Sequence, residues 1–250
     1  MSAGRTILVT GGAKRLGAAI ARGLAGAGHR VVIHYGGSRD EAERLAVEIG
    51  GATVQGDLAE TAAVPELFAA ARKAAGGAIY GLVNSASAFE FDRPDTIDTA
   101  LAARLYAINC TTPSLLVAAL AGQDDLDEGA VVNLLDQKLA NPNPDFFSYS
   151  CAKIALAGAT EMMAQAFAPR IRVNAVSPGL TLKSGDQSDA AFETVARANL
   201  LQRPVGAEAI AEAVVYLIGA RSVTGQNLFV DCGQRFLKRD GDVMFEGDDG

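Results

Sequence analysis

A tyrosine and a lysine stand four positions apart in the stretch YSCAK, as Tyr149 and Lys153. On an α-helix this spacing brings both side chains onto one face. A lysine in that position can lower the pKa of the phenol and hold a ribose, while the phenol donates a proton to an atom left basic by hydride transfer. Upstream, the apolar stretch AVVNLLD ends on Asp136, and an ionised carboxylate accepts hydrogen bonds but cannot donate them. The three residues predict a proton-transfer site.

Short β-branched runs, separated mostly by segments of helical period, must position these residues. Strands that are apolar on both faces and joined by helical crossovers form a parallel sheet covered on each side. We therefore predict a single-domain, doubly wound α/β fold over residues 1–236. Its seven predicted strands are 6–10, 30–35, 52–57, 78–84, 130–136, 171–179 and 227–231.

Two segments lie outside this regular alternation. Residues 182–189 are predicted to be a loop before a helix at 189–200, and a loop after a strand's carboxyl end suits a substrate lid. Residues 237–250 form an acidic, glycine-rich C-terminal tail, interpreted as mobile or as docking on a neighbouring subunit through its VMF stretch.

Composition excludes several classes of protein. A net charge of −7 and a pI near 4.9 argue against nucleic acid and anionic membranes as partners. The longest uncharged run, 105–123, contains several polar residues, and the N-terminus lacks the apolar region of a signal peptide, so we expect a cytoplasmic protein. The three scattered cysteines and two histidines predict neither a disulfide framework nor a metal site.

A glycine turn follows the first strand in TILVTGGAKRLG. Gly11 and Gly12 permit a tight turn and Gly17 lets the next helix approach the strand, so the helix amides can face a pyrophosphate; a tight turn without a ligand is the alternative. The second strand ends on His34 and Tyr35, where an acid would favour NAD.

The residues after that strand favour a 2′-phosphate and therefore NADPH. Ser38 and Arg39 follow it and Arg15 lies in the glycine turn; alternatively, Ser38 caps a helix and Arg39 is only solvated. Asp57, closing the third strand, could bind the adenine amino group or cap a turn.

The sequence resembles the short-chain dehydrogenase/reductase family over nearly its whole length. The matching segments are TGGAKRLG, the DL pair at 57–58, NSAS at 84–87, Asn109 in AINCTTP, YSCAK, RVNAVSPG at 172–179 and TGQNLFVDCG at 224–233. The resemblance implies a Rossmann-type sheet and a homotetramer. Helices near 99–121 and 148–169 usually build the dimers of this family, although a core-facing stripe explains the small and methionine-rich residues of IALAGATEMMAQAF equally well. The resemblance also implies that Tyr149 is the acid, Lys153 a ribose ligand and relay member, and Asn109 the holder of a relay water.

On this resemblance we predict sixteen cofactor-binding residues. They are Gly11, Arg15, Leu16, His34, Tyr35, Ser38, Arg39, Asp57, Leu58, Asn84, Ser85, Ala86, Tyr149, Lys153, Pro178 and Gly179.

Two departures from the family pattern limit the class of substrate that the site would suit. Ser85 and Ser87 replace residues of the usual N-N-A-G, and Asp136 stands where a serine or threonine usually polarises a carbonyl. An ionised carboxylate there suits a substrate with N–H donors. The same set is similar to the pteridine reductase branch, which includes bacterial dihydromonapterin reductases.

The resemblance to this branch assigns substrate contacts. Phe89 would stack the pterin against nicotinamide, Ser87 and Arg15 would line the pocket, and Asp136 with Tyr149 would serve proton transfer. Alternatively, Phe89 anchors its loop with Phe91, and Asp136 pairs with Lys138 or caps the following turn. The branch often has an arginine after the second strand, where this chain has Gly36 and Gly37.

These observations predict an NADPH-dependent reductase that transfers hydride to a C=N bond of a dihydropterin. The main alternative is a carbonyl or 3-oxoacyl reductase of the same family. A third possibility is a dinucleotide sensor without turnover, although a sensor has no use for a set consisting of Asn109, Tyr149 and Lys153.

Overall fold

The computed structural model describes residues 4–183 and 189–242. Seven strands form one parallel sheet in the order β3-β2-β1-β4-β5-β6-β7, which confirms the predicted fold class. The strands are β1 (Thr6–Thr10), β2 (Arg30–Tyr35), β3 (Ala52–Gln55), β4 (Gly81–Asn84), β5 (Gly129–Leu134), β6 (Ile171–Pro178) and β7 (Asn227–Val230).

Helices cover both faces of the sheet and bury its apolar strands. The first three are α1 (Arg15–Gly26), α2 (Arg39–Ile49) and α3 (Val64–Ala75); α4 (Thr99–Tyr106) and α5 (Thr112–Ala121) follow. The last three are α6 (Phe147–Phe167), α7 (Asp189–Ala196) and α8 (Ala207–Gly219). One face carries α1, α2 and α8, and the other carries α3, α5 and α6. Because every strand is parallel, all the strand carboxyl ends meet at one edge.

The predicted helix at 99–121 is divided in two. A π-helical segment, Ala107–Thr111, separates α4 from α5 and contains the buried Asn109. Such π-helical turns are rare and occur mostly as local bulges at functional sites. The spacing of hydrophobic residues does not distinguish the wider π-helical turn from an α-helical one, so the sequence predicted one continuous helix.

The fifth strand is also shorter than predicted. It ends at Leu134, and Asp136 lies two residues beyond it, at the start of a 3-10 turn over Gln137–Leu139. Its carboxylate accepts a hydrogen bond from the Lys138 backbone N–H at 2.9 Å. The turn-capping role considered for Asp136 is therefore present, and one carboxylate oxygen remains for another partner.

The beginning of the predicted tail is ordered against the domain. Asn141 donates to the Leu237 carbonyl at 2.7 Å, and Asp242 is buried. The remainder of the tail, 243–250, and most of the predicted lid, 184–188, lie outside the described residues. Among the residues that the structure describes, none of the helices combines the length and the hydropathy needed to span a bilayer.

Candidate active site

A cavity of about 670 Å³ opens at the carboxyl edge of the sheet. Twelve of the predicted site residues line it: Gly11, Arg15, Leu16, Tyr35, Ser38, Ser85, Ala86, Ser87, Phe89, Asp136, Tyr149 and Gly179. Eight others do not reach its wall: His34, Arg39, Asp57, Leu58, Asn84, Asn109, Lys153 and Pro178.

The glycine turn forms the part of the wall suited to a pyrophosphate. Gly11 has a φ of 61°, and a Cβ there would lie 2.8 Å from the Ala86 Cα. A Cβ on Gly17 would lie 2.1 Å from the Gly11 carbonyl oxygen. The N-cap residue of α1, Lys14, makes no side-chain capping bond, so the first amides of the helix are left for a ligand. This wall fits the phosphates of a dinucleotide.

His34 supports this turn from behind and does not face the cavity. Its Nδ1 accepts from the Gly11 backbone N–H at 3.2 Å, and its Nε2 therefore donates to the Gly56 carbonyl at 3.1 Å. The side chain is 3% exposed. Burial lowers the pKa of His34 from its ordinary 6.5 to about 4, so the ring is neutral at physiological pH. His34 thus positions the glycine turn, and its predicted contact with the cofactor stays a prediction.

Arg15 joins the glycine turn to the segment after β6. It has a φ of 52°, a left-handed conformation that is uncommon outside glycine. Its guanidinium donates to the Lys183 carbonyl at 2.7 Å, across the opening of the cavity. The contact brings the two predicted ligand-binding segments together.

Two cationic side chains, Lys14 and Arg39, lie at the end of the cavity next to β2. Ser38 and Lys14 line the wall there, and Arg39 lies just outside it, 5.7 Å from the centre of the Tyr35 ring. Arg39 donates to the Gln55 side chain at 2.9 Å and is more than half exposed. Asp57 accepts from the Ala59 N–H at 2.9 Å, which is the turn-capping alternative considered from sequence.

The loop after β4 is held by β1 and by the π-helical segment. Thr10 Oγ1 accepts from the backbone amides of Ser85 and Ala86 at 3.0 and 3.1 Å. Ser87 donates to Asn109 Oδ1 at 2.7 Å. Asn109 is fully buried, so its connection to the cavity runs through the Ser87 hydroxyl.

Tyr149 and Asp136 form a hydrogen-bonded pair at the other end of the cavity. The phenol donates to Asp136 Oδ2 at 2.7 Å. Lys153 lies one turn further along α6, is 3% exposed, and donates to the Leu134 carbonyl at 2.8 Å. Its ammonium is 5.7 Å from the centre of the Tyr149 ring. The structure thus brings the three residues of the predicted proton-transfer site together.

The pKa of the phenol shifts in the opposite direction to the one predicted. Burial, and then the adjacent Asp136 carboxylate, raise the pKa of Tyr149 well above its ordinary value, while the weaker interaction with Ser87 lowers it. Burial lowers the pKa of Lys153 to about 8 and raises that of Asp136. The predicted lowering of the phenol pKa by Lys153 stays a prediction, because burial and Asp136 set the direction of the shift here. Tyr149 is therefore protonated at physiological pH and has a proton to donate.

Aromatic rings form the floor beside this pair. Phe89 stacks on Phe146 with ring centres 3.9 Å apart and meets Tyr149 edge-on at 4.8 Å. Phe91 packs edge-on against the same Phe146 ring. Phe89 lines the cavity and, through its stacking on Phe146, anchors its loop; its stacking on a pterin stays a prediction.

Several cavity residues were not predicted. They include Lys14, Lys138, residues 180–182, Gln234 and Asp242. Lys14 lies inside the glycine motif and could have been noticed as a cation next to the arginine. Gln234 and Asp242 come from distant segments, and no local pattern points to them.

A family model described as enoyl-(acyl carrier protein) reductase matches residues 11–235. The chain is 32% identical over 276 residues to pteridine reductase 1 of Leishmania tarentolae, covering 90% of this chain and 94% of that one. The chain therefore belongs to the short-chain dehydrogenase/reductase family and is an oxidoreductase.

Two further comparisons bear on the substrate. The chain is 30% identical to a 3-oxoacyl-[acyl-carrier-protein] reductase of Staphylococcus aureus, covering 92% and 97% of the two chains. A crystal structure of FolM alternative dihydrofolate reductase 1 from Brucella canis, complexed with NADP, superposes with a TM-score of 0.90. That chain is 40% identical, and the match covers 97% of this chain and 98% of the other.

Proposed function

We propose that this protein is an NADPH-dependent reductase of a pterin, converting a dihydropterin to a tetrahydropterin. The observation that carries the proposal is the Asp136 carboxylate at the cavity wall, hydrogen-bonded to Tyr149 at 2.7 Å. A carboxylate beside a proton donor matches a heterocycle that presents N–H groups and takes up a proton on nitrogen. The pteridine reductase and FolM similarities agree with this choice.

The residues fit NADPH along one continuous wall. The α1 amides and the turn at Gly11 would hold the pyrophosphate, and Ser38 with the nearby Lys14 and Arg39 would hold the 2′-phosphate. When bound, NADPH would supply the hydride.

The chain's own residues would then manage the proton and the ring. Phe89 offers an aromatic edge of the cavity against which a flat heterocycle can pack. Asp136 orients the amino-pyrimidinone N–H groups, and Tyr149 gives its proton to the ring nitrogen. Lys153 with Asn109 would resupply that proton, and Asn109 is connected to the cavity through the Ser87 hydroxyl.

One observation favours the second candidate, a carbonyl or 3-oxoacyl reductase. Because burial raises the pKa of Asp136, a protonated carboxyl would be able to donate a hydrogen bond to a ketone oxygen. The similarity to the staphylococcal 3-oxoacyl reductase points the same way.

A substrate panel separates the two candidates. NADPH consumption would be measured with dihydropterins and with a 3-oxoacyl thioester, for the wild type and for Asp136→Ser. We expect turnover of a dihydropterin and a loss of roughly 10- to 100-fold in kcat/KM for it in the variant, the value of a hydrogen bond to a charged group.

The thioester should be used as well as or better than before in Asp136→Ser, because serine supplies the missing donor. Asp125→Ser, which removes an exposed carboxylate that contacts Arg72, is the matched control and should change neither rate. Failure of the wild type to reduce any dihydropterin, or unchanged pterin kinetics in Asp136→Ser, would refute the proposal.

We also propose that the protein is a cytoplasmic homotetramer, assembled through α4, α5 and α6. Apolar side chains on these helices are exposed in the single chain, among them Tyr106, Leu115, Ile154 and Met162. Light scattering on the purified protein would give the assembly size, and a monomer would refute this part of the proposal.

A further inference from the structure

Lys138 is a buried cation at the substrate end of the cavity that the proposed chemistry does not use. It is 4% exposed and lines the cavity two residues after Asp136. Its ammonium donates to Asp242 Oδ2 at 2.9 Å and to the Asp145 carbonyl at 2.8 Å, and lies 5.3 Å from the Phe146 ring centre. Buried charges are costly unless paired, and this pairing is made by the C-terminal segment.

The segment that carries Asp242 is fixed at several points. The Asp242 backbone N–H donates to Asp145 Oδ2 at 2.9 Å, and Asn143 donates to the Gly241 carbonyl at 3.1 Å. Asp145 in turn accepts from Arg93, so its carboxylate is held on two sides. Asp242 itself lines the cavity. The segment 237–242 therefore lies against the substrate end.

Four charged or titratable groups face Asp136. Tyr149 and Lys153 approach from α6, Lys138 from the turn after β5, and Asp242 from the C-terminal segment. Lys138 stabilises the Asp136 carboxylate and Asp242 destabilises it, with the Lys138 contribution the larger. Burial raises the pKa of Asp136, and the Lys138 ammonium opposes that rise. The ion pair also holds the turn whose N–H donates to Asp136 Oδ1 at 2.9 Å.

We propose that the buried Lys138–Asp242 ion pair positions Asp136 for the substrate and that its cation favours the charged form of this carboxylate, which makes the segment 237–242 part of the active site. Lys138 and Asp242 are positioning residues that act through Asp136. The inference rests on the proposed role of Asp136 as the substrate's carboxylate.

The titration of Asp136 tests the inference without any substrate. Nuclear magnetic resonance on protein labelled at the aspartate carboxyl carbons follows Asp136, whose signal is assigned by its loss in Asp136→Asn. Removing the cation in Lys138→Met should raise the midpoint, and removing the anion in Asp242→Asn should lower it, each by about one pH unit. Arg72→Met, which breaks an exposed ion pair with Asp125, should leave it unchanged.

A single variant removes one half of a buried ion pair and could fail to fold, so the double variant Lys138→Met/Asp242→Asn provides a second test. It removes both charges, and with them the ion pair that holds the turn after β5. We expect kcat/KM for a dihydropterin to fall about tenfold, with KM for NADPH unchanged.

The outcomes separate this inference from the proposed function. Absence of dihydropterin turnover in the wild type would refute the proposed function, while the titration would still be measurable. Midpoints that stay fixed or move in the same direction in the two single variants would overturn the inference. A double variant with wild-type kcat/KM would also overturn it.

Discussion

Acid should weaken the fold through His34, the buried histidine behind the glycine turn. A neutral ring accepts from the Gly11 N–H and donates to the Gly56 carbonyl, whereas a protonated ring has no acceptor for Gly11. The pKa is about 4 in the folded chain and 6.5 when unperturbed. Between those values the unfolded chain binds more protons, so stability falls as the pH falls.

The size of the effect follows from these two values. A histidine with a pKa of 6.5 in the unfolded chain and about 4 in the folded chain lowers the free energy of unfolding by at most about 3 kcal/mol. The full loss is present once the pH is below the folded pKa. About 2 kcal/mol of this loss should occur between pH 7 and pH 5. Because the side chain is 3% exposed, solvent screening does not reduce it appreciably.

Urea denaturation followed by circular dichroism at several pH values would measure this contribution. His34→Asn keeps an oxygen acceptor for Gly11 but does not titrate and leaves the Gly56 carbonyl unpaired, so we expect it to be about 1–3 kcal/mol less stable at pH 7. Its further loss of stability between pH 7 and pH 5 should be about 2 kcal/mol smaller than that of the wild type.

A matched control is Ile33→Val, which removes one buried methylene next to His34 and costs about 1 kcal/mol at every pH. It should keep the wild-type pH dependence. An equally steep loss of stability in His34→Asn and the wild type would refute the reasoning.

Three further predictions concern the cavity. Tyr149→Phe should lower kcat by about 10²- to 10⁴-fold while NADPH binding, measured by fluorescence titration, is kept; normal turnover would exclude the phenol as the acid. Gly17→Ala should abolish NADPH binding, since its Cβ would lie 2.1 Å from the Gly11 oxygen; binding as in the wild type would contradict the close approach. Phe89→Ala should raise KM for the pterin about tenfold and lower the melting temperature, because stacking on Phe146 is lost, while Phe89→Tyr should restore both.

The fold could be predicted because its signals are local. Strands such as β1 and β5 are built on short apolar runs, and a glycine turn separates β1 from α1. Segment lengths and strand ends were less accurate. The π-helical segment Ala107–Thr111 was placed inside one continuous helix, although Pro113 just after it lies in the first turn of α5.

The proton-transfer site could be predicted for a similar reason. Tyr149 and Lys153 are four residues apart on one helix, and Asp136 follows the strand that precedes it, so local geometry brings them to the same edge of the sheet. The direction of the tyrosine pKa shift was not predictable, because it depends on burial and on which oxygen of Asp136 receives the phenol.

The sequence by itself determined a parallel, doubly wound sheet with a dinucleotide-type turn at one end and a tyrosine, a lysine and a carboxylate at the other. Only the tertiary structure decided what surrounds them. His34 supports the glycine turn from behind, and Asp242 from the C-terminal segment pairs with Lys138 beside Asp136. Burial and long-range electrostatics depend on residues distant in sequence, and no local pattern carries that information.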